Sequence, residues 1–118
     1  MNELVYVATP FSDPDPIIRQ NRYLDTYWFI REQTRKYPSN LYYSPIYYYY
    51  RIAQSIGARN DADFWWGHNK LMLDAAARML VVKMLGWENS KGVKAEIEYM
   101  TKLKKPIKYV ELLYGVST

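Results

Sequence analysis

The stretch RMLVVKMLGWENSKGVKAEIEY, residues 78 to 99, decides how this chain is read. Its first part, RMLVVKML (78–85), is the cleanest strand in the sequence: a short apolar run with two adjacent valines. Gly86-Trp87 closes that run, and a polar corner with Ser90 and Gly92 follows. NSKGVKAEIEYMTKLKK then reads as a long helix, with Val93, Ile97, Met100 and Leu103 directed inward. Glu96 falls in the first turns of that helix, just past a glycine corner at a strand end. A carboxylate there is either an exposed helix residue or a nucleophile aimed into a site. Glu98, two positions on, falls roughly on the opposite side of the helix and reads as surface.

Working outward, PIKYVEL (106–112) reads as a final strand, and the tail after Leu113 is expected to fray. ELVYVAT (3–9) reads as a buried first strand, and PFSDPDP (10–16) as a loop punctuated by prolines. Asp15 followed by Pro16 is a helix start, N-cap then first helical position. That helix runs from about Pro16 to Lys36, with Ile17, Leu24 and Trp28 on one face and Arg19, Arg22, Arg31 and Arg35 around it. LYYSP (41–45) reads as a second strand. IYYYYRIAQSIGA (46–58) suits strand or helix by propensity. The helix is preferred because Gly57 supplies a C-cap and a further strand would need a turn after Pro45. Asp61 or Asp63 caps a helix over about 62–76, with Phe64, His68, Leu71 and Ala75 at helical spacing.

Strands alternating with helices predict an α/β protein. The expected architecture is a flavodoxin- or Rossmann-like three-layer α/β/α sandwich around a mostly parallel sheet of four to five strands. At 118 residues and about half hydrophobic, one domain over 1–118 is expected. In such sheets ligands sit beyond the carboxyl ends of the strands, near helix N-termini. That rule gathers Thr9–Ser12, Ser44–Tyr47 and Gly86–Gly92 at one edge.

There is no cysteine, which excludes disulfides and thiolate metal sites and fits a reducing, cytoplasmic setting. No signal peptide or membrane span is read, and no spacing of His and Asp suits a metal. A net charge of +4 and a pI near 9.2 favour anions without choosing among them. Nucleic acid is not expected as a partner: basic residues are scattered apart from KLKK at 102–105, which solvates a helix end. Thirteen tyrosines give stacking surface suited to bases, sugars and subunit contacts.

YVATPFS after the first strand, SPI after the second, and GWENSKGVKAEIEY between strand and helix resemble the nucleoside 2-deoxyribosyltransferase superfamily. The resemblance runs from Tyr6 to Tyr109 and is closest to a branch of short bacterial and phage proteins. It implies cleavage of the N-glycosidic bond of a nucleoside or nucleotide, by hydrolysis or transfer, with no cofactor and no metal. Glu96 matches the family's nucleophile, which a helix dipole would hold ionised for attack on the anomeric carbon. Tyr6 and the loop Thr9, Pro10, Phe11 and Ser12 match the stretch that lines the sugar and positions the nucleophile. Ser90 and the helix-start amides are expected to hold a phosphate or sugar hydroxyl, and Gly92 to let the backbone turn tightly. Arg19, or Arg22 beside it, would meet a phosphate. Ser44 belongs to the SPI corner, and Tyr47 is the one tyrosine of its run expected at a bound base.

The resemblance also marks departures. Asn69 stands where the family has its second carboxylate, and asparagine cannot donate a proton as an acid does, although it can hydrogen-bond a base. Asp74 is five residues on and about 140° around the helix. Ala77 stands where relatives have Asp, and Thr9 where glycine is common. The alternative reading is therefore a protein that holds a nucleotide or ADP-ribose-like ligand without turning it over. His68 is expected to be structural, one of Trp65 and Trp66 to lie at a subunit boundary or pocket rim, and Trp87 to wedge the corner. The surplus of aromatics and the resemblance both imply a homodimer or higher homo-oligomer.

Overall fold

The computed structural model describes residues 2–57 and 62–112, with only the backbone of 62–64. In chain order it contains β1 (Leu4–Ala8), α1 (Pro16–Lys36), β2 (Leu41–Tyr43), α2 (Pro45–Ile56), α3 (Ala62–Ala75), β3 (Arg78–Val82), a 3-10 turn (Trp87–Asn89), α4 (Lys91–Lys102) and β4 (Ile107–Val110). The four strands form one sheet in the order β2-β1-β3-β4, parallel throughout. This is the expected α/β sandwich at the lower end of its strand count.

Local chemistry sets the element ends. Asp15 caps α1 by accepting from the Ile17 amide at 2.9 Å, with Pro16 first in the helix. Ser44 does the same for α2, accepting from the Tyr47 amide at 3.2 Å. The second strand therefore stops at Tyr43 rather than Pro45, because Ser44 and Pro45 already serve the helix. Gly57 takes φ 64 after α2, the left-handed turn its position suggests. β3 ends at Val82 rather than residue 85, and the last helix starts at Lys91 behind the 3-10 turn rather than at residue 89. The expected cap Asp61, the side chains of Asp63 and Phe64, and the tail after Leu113 lie outside the described residues.

The central strands are buried on both faces and sort their side chains by alternation. Tyr6 and Ala8 of β1, with Met79 and Val81 of β3, meet Leu73 and Ala76 and the α4 residues Val93 and Met100. Val5, Val7, Leu80 and Val82 point the other way, onto Phe29 of α1 with Tyr42 and Met84. Thus α1 covers one face and α3 with α4 the other. The crossovers diverge between β1 and β3, the switch point at which parallel sheets open a crevice.

The apolar stripe expected of α1 is not its buried face. Ile17, Leu24 and Trp28 are exposed, whereas Asp25, Thr26 and Phe29 are buried. The sheet-facing side instead carries polar groups that bind one another: Thr26 Oγ1 donates to the Arg22 carbonyl at 2.8 Å and is hydrogen-bonded to Thr9 Oγ1 at 3.1 Å. In α3, Leu71 is likewise exposed, and Leu73 enters the core.

Candidate functional site

Three strand ends deliver the residues of one cleft of about 570 Å³. Thr9, Phe11 and Ser12 follow β1, Pro45 and Ile46 follow β2, and Asn89, Ser90, Lys91 and Gly92 follow β3. Trp65, Trp66 and Asn69 come from α3, and Ala95 and Glu96 from α4. Gly92, Ala95 and Glu96 share a helix face by their i, i+3, i+4 spacing, so two small residues leave room in front of the carboxyl. Ser90 caps α4, its Oγ accepting from the Val93 amide at 3.2 Å, which aims the helix start at the cleft.

Glu96 is 4% exposed. The Tyr6 hydroxyl, itself fully buried, donates to Glu96 Oε2. Burial pushes the Glu96 carboxyl from an ordinary 4.5 up to about 8, opposed by the Tyr6 hydrogen bond, which pulls it down. Burial also drives the Tyr6 hydroxyl well above its usual value, reinforced by the Glu96 charge. The expectation that the helix dipole keeps Glu96 ionised is corrected: dipole stabilisation fades after the first turn, Glu96 lies beyond it, and desolvation wins.

Asn69, 8% exposed, lines the same cleft, and its Oδ1 is buried with no hydrogen-bond partner among the described residues. An unpaired buried acceptor costs about 1–3 kcal/mol, so it is a place where a ligand N–H would be welcome. The aromatic walls are braced from behind. Trp65 meets Tyr49 edge-on at 5.2 Å, Trp66 meets Tyr99 edge-on at 5.7 Å, and Phe11 meets Tyr50 at 5.4 Å. Both tryptophans reach the cleft, because adjacent helix positions lie about 100° apart and can straddle its edge.

Thr9, Phe11, Ser12, Asn69, Ser90, Gly92 and Glu96 therefore meet in one place, with Tyr6 behind the carboxyl. The other sequence candidates are placed elsewhere. Tyr47 lies outside the cleft lining and stacks on Tyr23 of α1 at 6.2 Å, because its helix position points towards α1. Arg19 turns back on its own loop, donating to the Asp13 and Pro14 carbonyls. It borders a smaller hollow of about 240 Å³ with Tyr50 and Gln54, on the far side of Phe11 and Trp65. Pro10 is buried, and Ser44 is spent on its helix cap. Glu98 and Ala77 are exposed, and Asp74 receives the Tyr99 hydroxyl. His68 packs its ring 5.2 Å from Tyr49, while Trp87 supports the core below the corner and meets Tyr109. Gly92 is an ordinary helical residue. The turn is made by Gly86, at φ 88.

Arg22 proves to be the clamp of the site rather than a phosphate ligand. Its guanidinium donates to the Phe11 and Ser12 carbonyls at 3.3 and 3.0 Å and to the Leu85 carbonyl at 3.2 Å. It thereby ties the loop after β1 to the corner after β3. A Cβ on Gly86 would stand 2.9 Å from Arg22 Nη2. Gly86→Ala is accordingly expected to cost about 2 kcal/mol through the left-handed φ and the displaced guanidinium. The check is the denaturant midpoint, and an unchanged midpoint would remove this role. One of Trp65 and Trp66 is expected from sequence at a subunit boundary or pocket rim, whereas both line the cleft, and Lys91 and Ala95 carried no expected role. The signal for Ala95 was available in its spacing to Glu96.

Among the described residues no group of three or more His, Cys, Asp or Glu side chains could hold a metal ion, and no helix is long and apolar enough to cross a membrane. Residues 40–112 match a family model described as Domain of unknown function (DUF1937), a span that includes Asn69, Ser90 and Glu96 but not Tyr6 or the loop after β1. No curated protein matches the chain.

Proposed function

The chain belongs to the DUF1937 family, whose model covers more than half of it, and we propose that it cleaves the N-glycosidic bond of a nucleoside or nucleoside monophosphate with Glu96 as nucleophile. The observation that carries this reading is a buried carboxyl on the wall of an aromatic-lined cleft, gripped through one oxygen by Tyr6. Burying an ionisable group without an ion-pair partner is costly, and such costs concentrate where chemistry needs them. With Oε2 held, Oε1 is the oxygen left to attack the anomeric carbon. The glycosyl ester so formed passes to water or to a second base. Ser90 and Lys91 at the start of α4 suit a 5′-phosphate.

Incubation with a mixture of nucleosides and monophosphates, followed by chromatography for free base, tests the proposal. Free base from the wild type and none from Glu96→Gln is the expected result.

Asn69 favours a second reading, in which the same cleft holds a nucleotide or ADP-ribose-like ligand without turnover. Stabilisation of roughly 1–3 kcal/mol by saturating nucleotide, with no base released, would select it. Self-association is part of the proposal as well. The outward stripe Ile17, Leu24 and Trp28 supports a second copy, and a monomer mass by light scattering at micromolar concentration would remove that part.

A further inference from the structure

We propose that the substrates of this cleft carry a leaving base that is already positively charged, an N-glycosylpyridinium or an N7-alkylated purine, on a ribosyl 5′-phosphate. The inference rests on Glu96 acting as the nucleophile and concerns what leaves.

A neutral base departs as an anion unless something protonates it, whereas a quaternised base departs neutral and needs no acid. Among the described residues Glu96 is the one carboxyl lining the cleft, and it is assigned to attack. The Tyr6 hydroxyl is engaged in its hydrogen bond to Glu96 Oε2. Asn69 lines the same cleft and has no proton to give as an acid. Its unpaired Oδ1 is instead an acceptor, suited to a carboxamide or exocyclic N–H on a departing ring.

Three further features favour the cation. Phe11, Trp65 and Trp66 surround the cleft with aromatic rings, each braced by a tyrosine, and ring faces attract cations. The Glu96 carboxyl gains most from a positive neighbour because its ionisation is what burial opposes. Lys91, the cation in the lining, is exposed at the α4 start, where the 5′-phosphate would shield it from the base.

The balance closes without another reactant. The Glu96 carboxylate forms a bond to C1′, the C1′–N bond breaks, and its electron pair returns to the ring nitrogen and cancels the positive charge. Water then attacks C1′, the carboxylate is released, and one proton goes to solvent.

The test compares base release from nicotinamide mononucleotide and 7-methylguanosine 5′-monophosphate with release from AMP and dAMP. The expected kcat/KM is about 100-fold or more higher for the cationic pair, the scale of a missing general acid. The relative rates of the two cationic substrates distinguish a pyridinium from a purine site. Asn69→Asp is expected to raise release from AMP and dAMP relative to the cationic substrates, by restoring an acid. Equal or faster release of the neutral bases by the wild type overturns this inference and leaves Glu96 as nucleophile intact. No release from any of the four overturns this inference, and no release from the nucleoside and monophosphate mixture as well overturns both.

Discussion

Replacing Glu96 by glutamine is expected to reduce base release by about 1,000-fold or more while making the fold more stable above neutral pH. Both effects come from the same burial. The carboxyl's ordinary value, 4.5, describes the unfolded chain, and about 8 describes the folded one. Below about pH 4.5 both states keep the proton and burial costs nothing electrostatic. As pH rises towards 8 the unfolded chain ionises first, so the wild type loses stability across this window, and the loss levels off above it. At full extent the difference corresponds to about 4–5 kcal/mol. Glutamine never ionises, and its amide oxygen can still accept from Tyr6. Denaturant midpoints of the two proteins are expected to agree near pH 4.5 and to separate in favour of the glutamine variant by pH 8. Turnover at the wild-type rate by Glu96→Gln would end the nucleophile assignment. A lower midpoint for that variant at pH 8 would make the carboxylate a structural support instead.

Much of this site was legible because punctuation residues fix where elements start. Asp15-Pro16 reads as a helix start and caps α1, whereas Ser44-Pro45, read as a strand end, and Ser90, read as a ligand contact, cap the helices that follow them, and each cap closes one of the three loops at the cleft. The alternation of β1 and β3 settled the sheet for a similar reason: a strand buried on both faces leaves no polar positions to mislead. What stayed hidden was the partnering of polar groups. Ile17, Leu24 and Trp28 have the spacing of a core face, yet α1 turns Asp25 and Thr26 inward, where Thr9 and the Arg22 carbonyl meet Thr26. Periodicity sees hydrophobicity and is blind to a hydrogen bond supplied by a distant loop. Arg22 shows the same limit: its charge suggested a phosphate, and its geometry reveals three carbonyls. The ionisation of Glu96 was misjudged because the dipole can be read from helix position, whereas desolvation depends on everything packed around it.

Tyr6→Phe gives the second large expected effect, and it separates positioning from packing. Tyr6 is 0% exposed and meets Glu96 from behind, so it is a positioning residue and not a contact for substrate. Its hydrogen bond is the influence that lowers the Glu96 carboxyl against desolvation. In the wild type, kcat/KM is expected to climb about tenfold per pH unit below 8 and to level above it, reporting the free carboxyl. Removing the hydroxyl lets desolvation act unopposed, and the rising limb moves to higher pH. Each unit of that movement costs about tenfold in rate at pH 7. The fold is expected to lose about 1–2 kcal/mol, since the ring still fills its place in the core. The decisive feature is recovery: the activity of the Tyr6→Phe variant should climb back towards that of wild type as pH rises through its displaced limb, where both carboxyls become ionised. Loss of activity by the same factor at every pH would mean that the hydroxyl sets the geometry of the Glu96 carboxyl and not its charge, and no loss at any pH would mean that Tyr6 supports the cleft by packing alone.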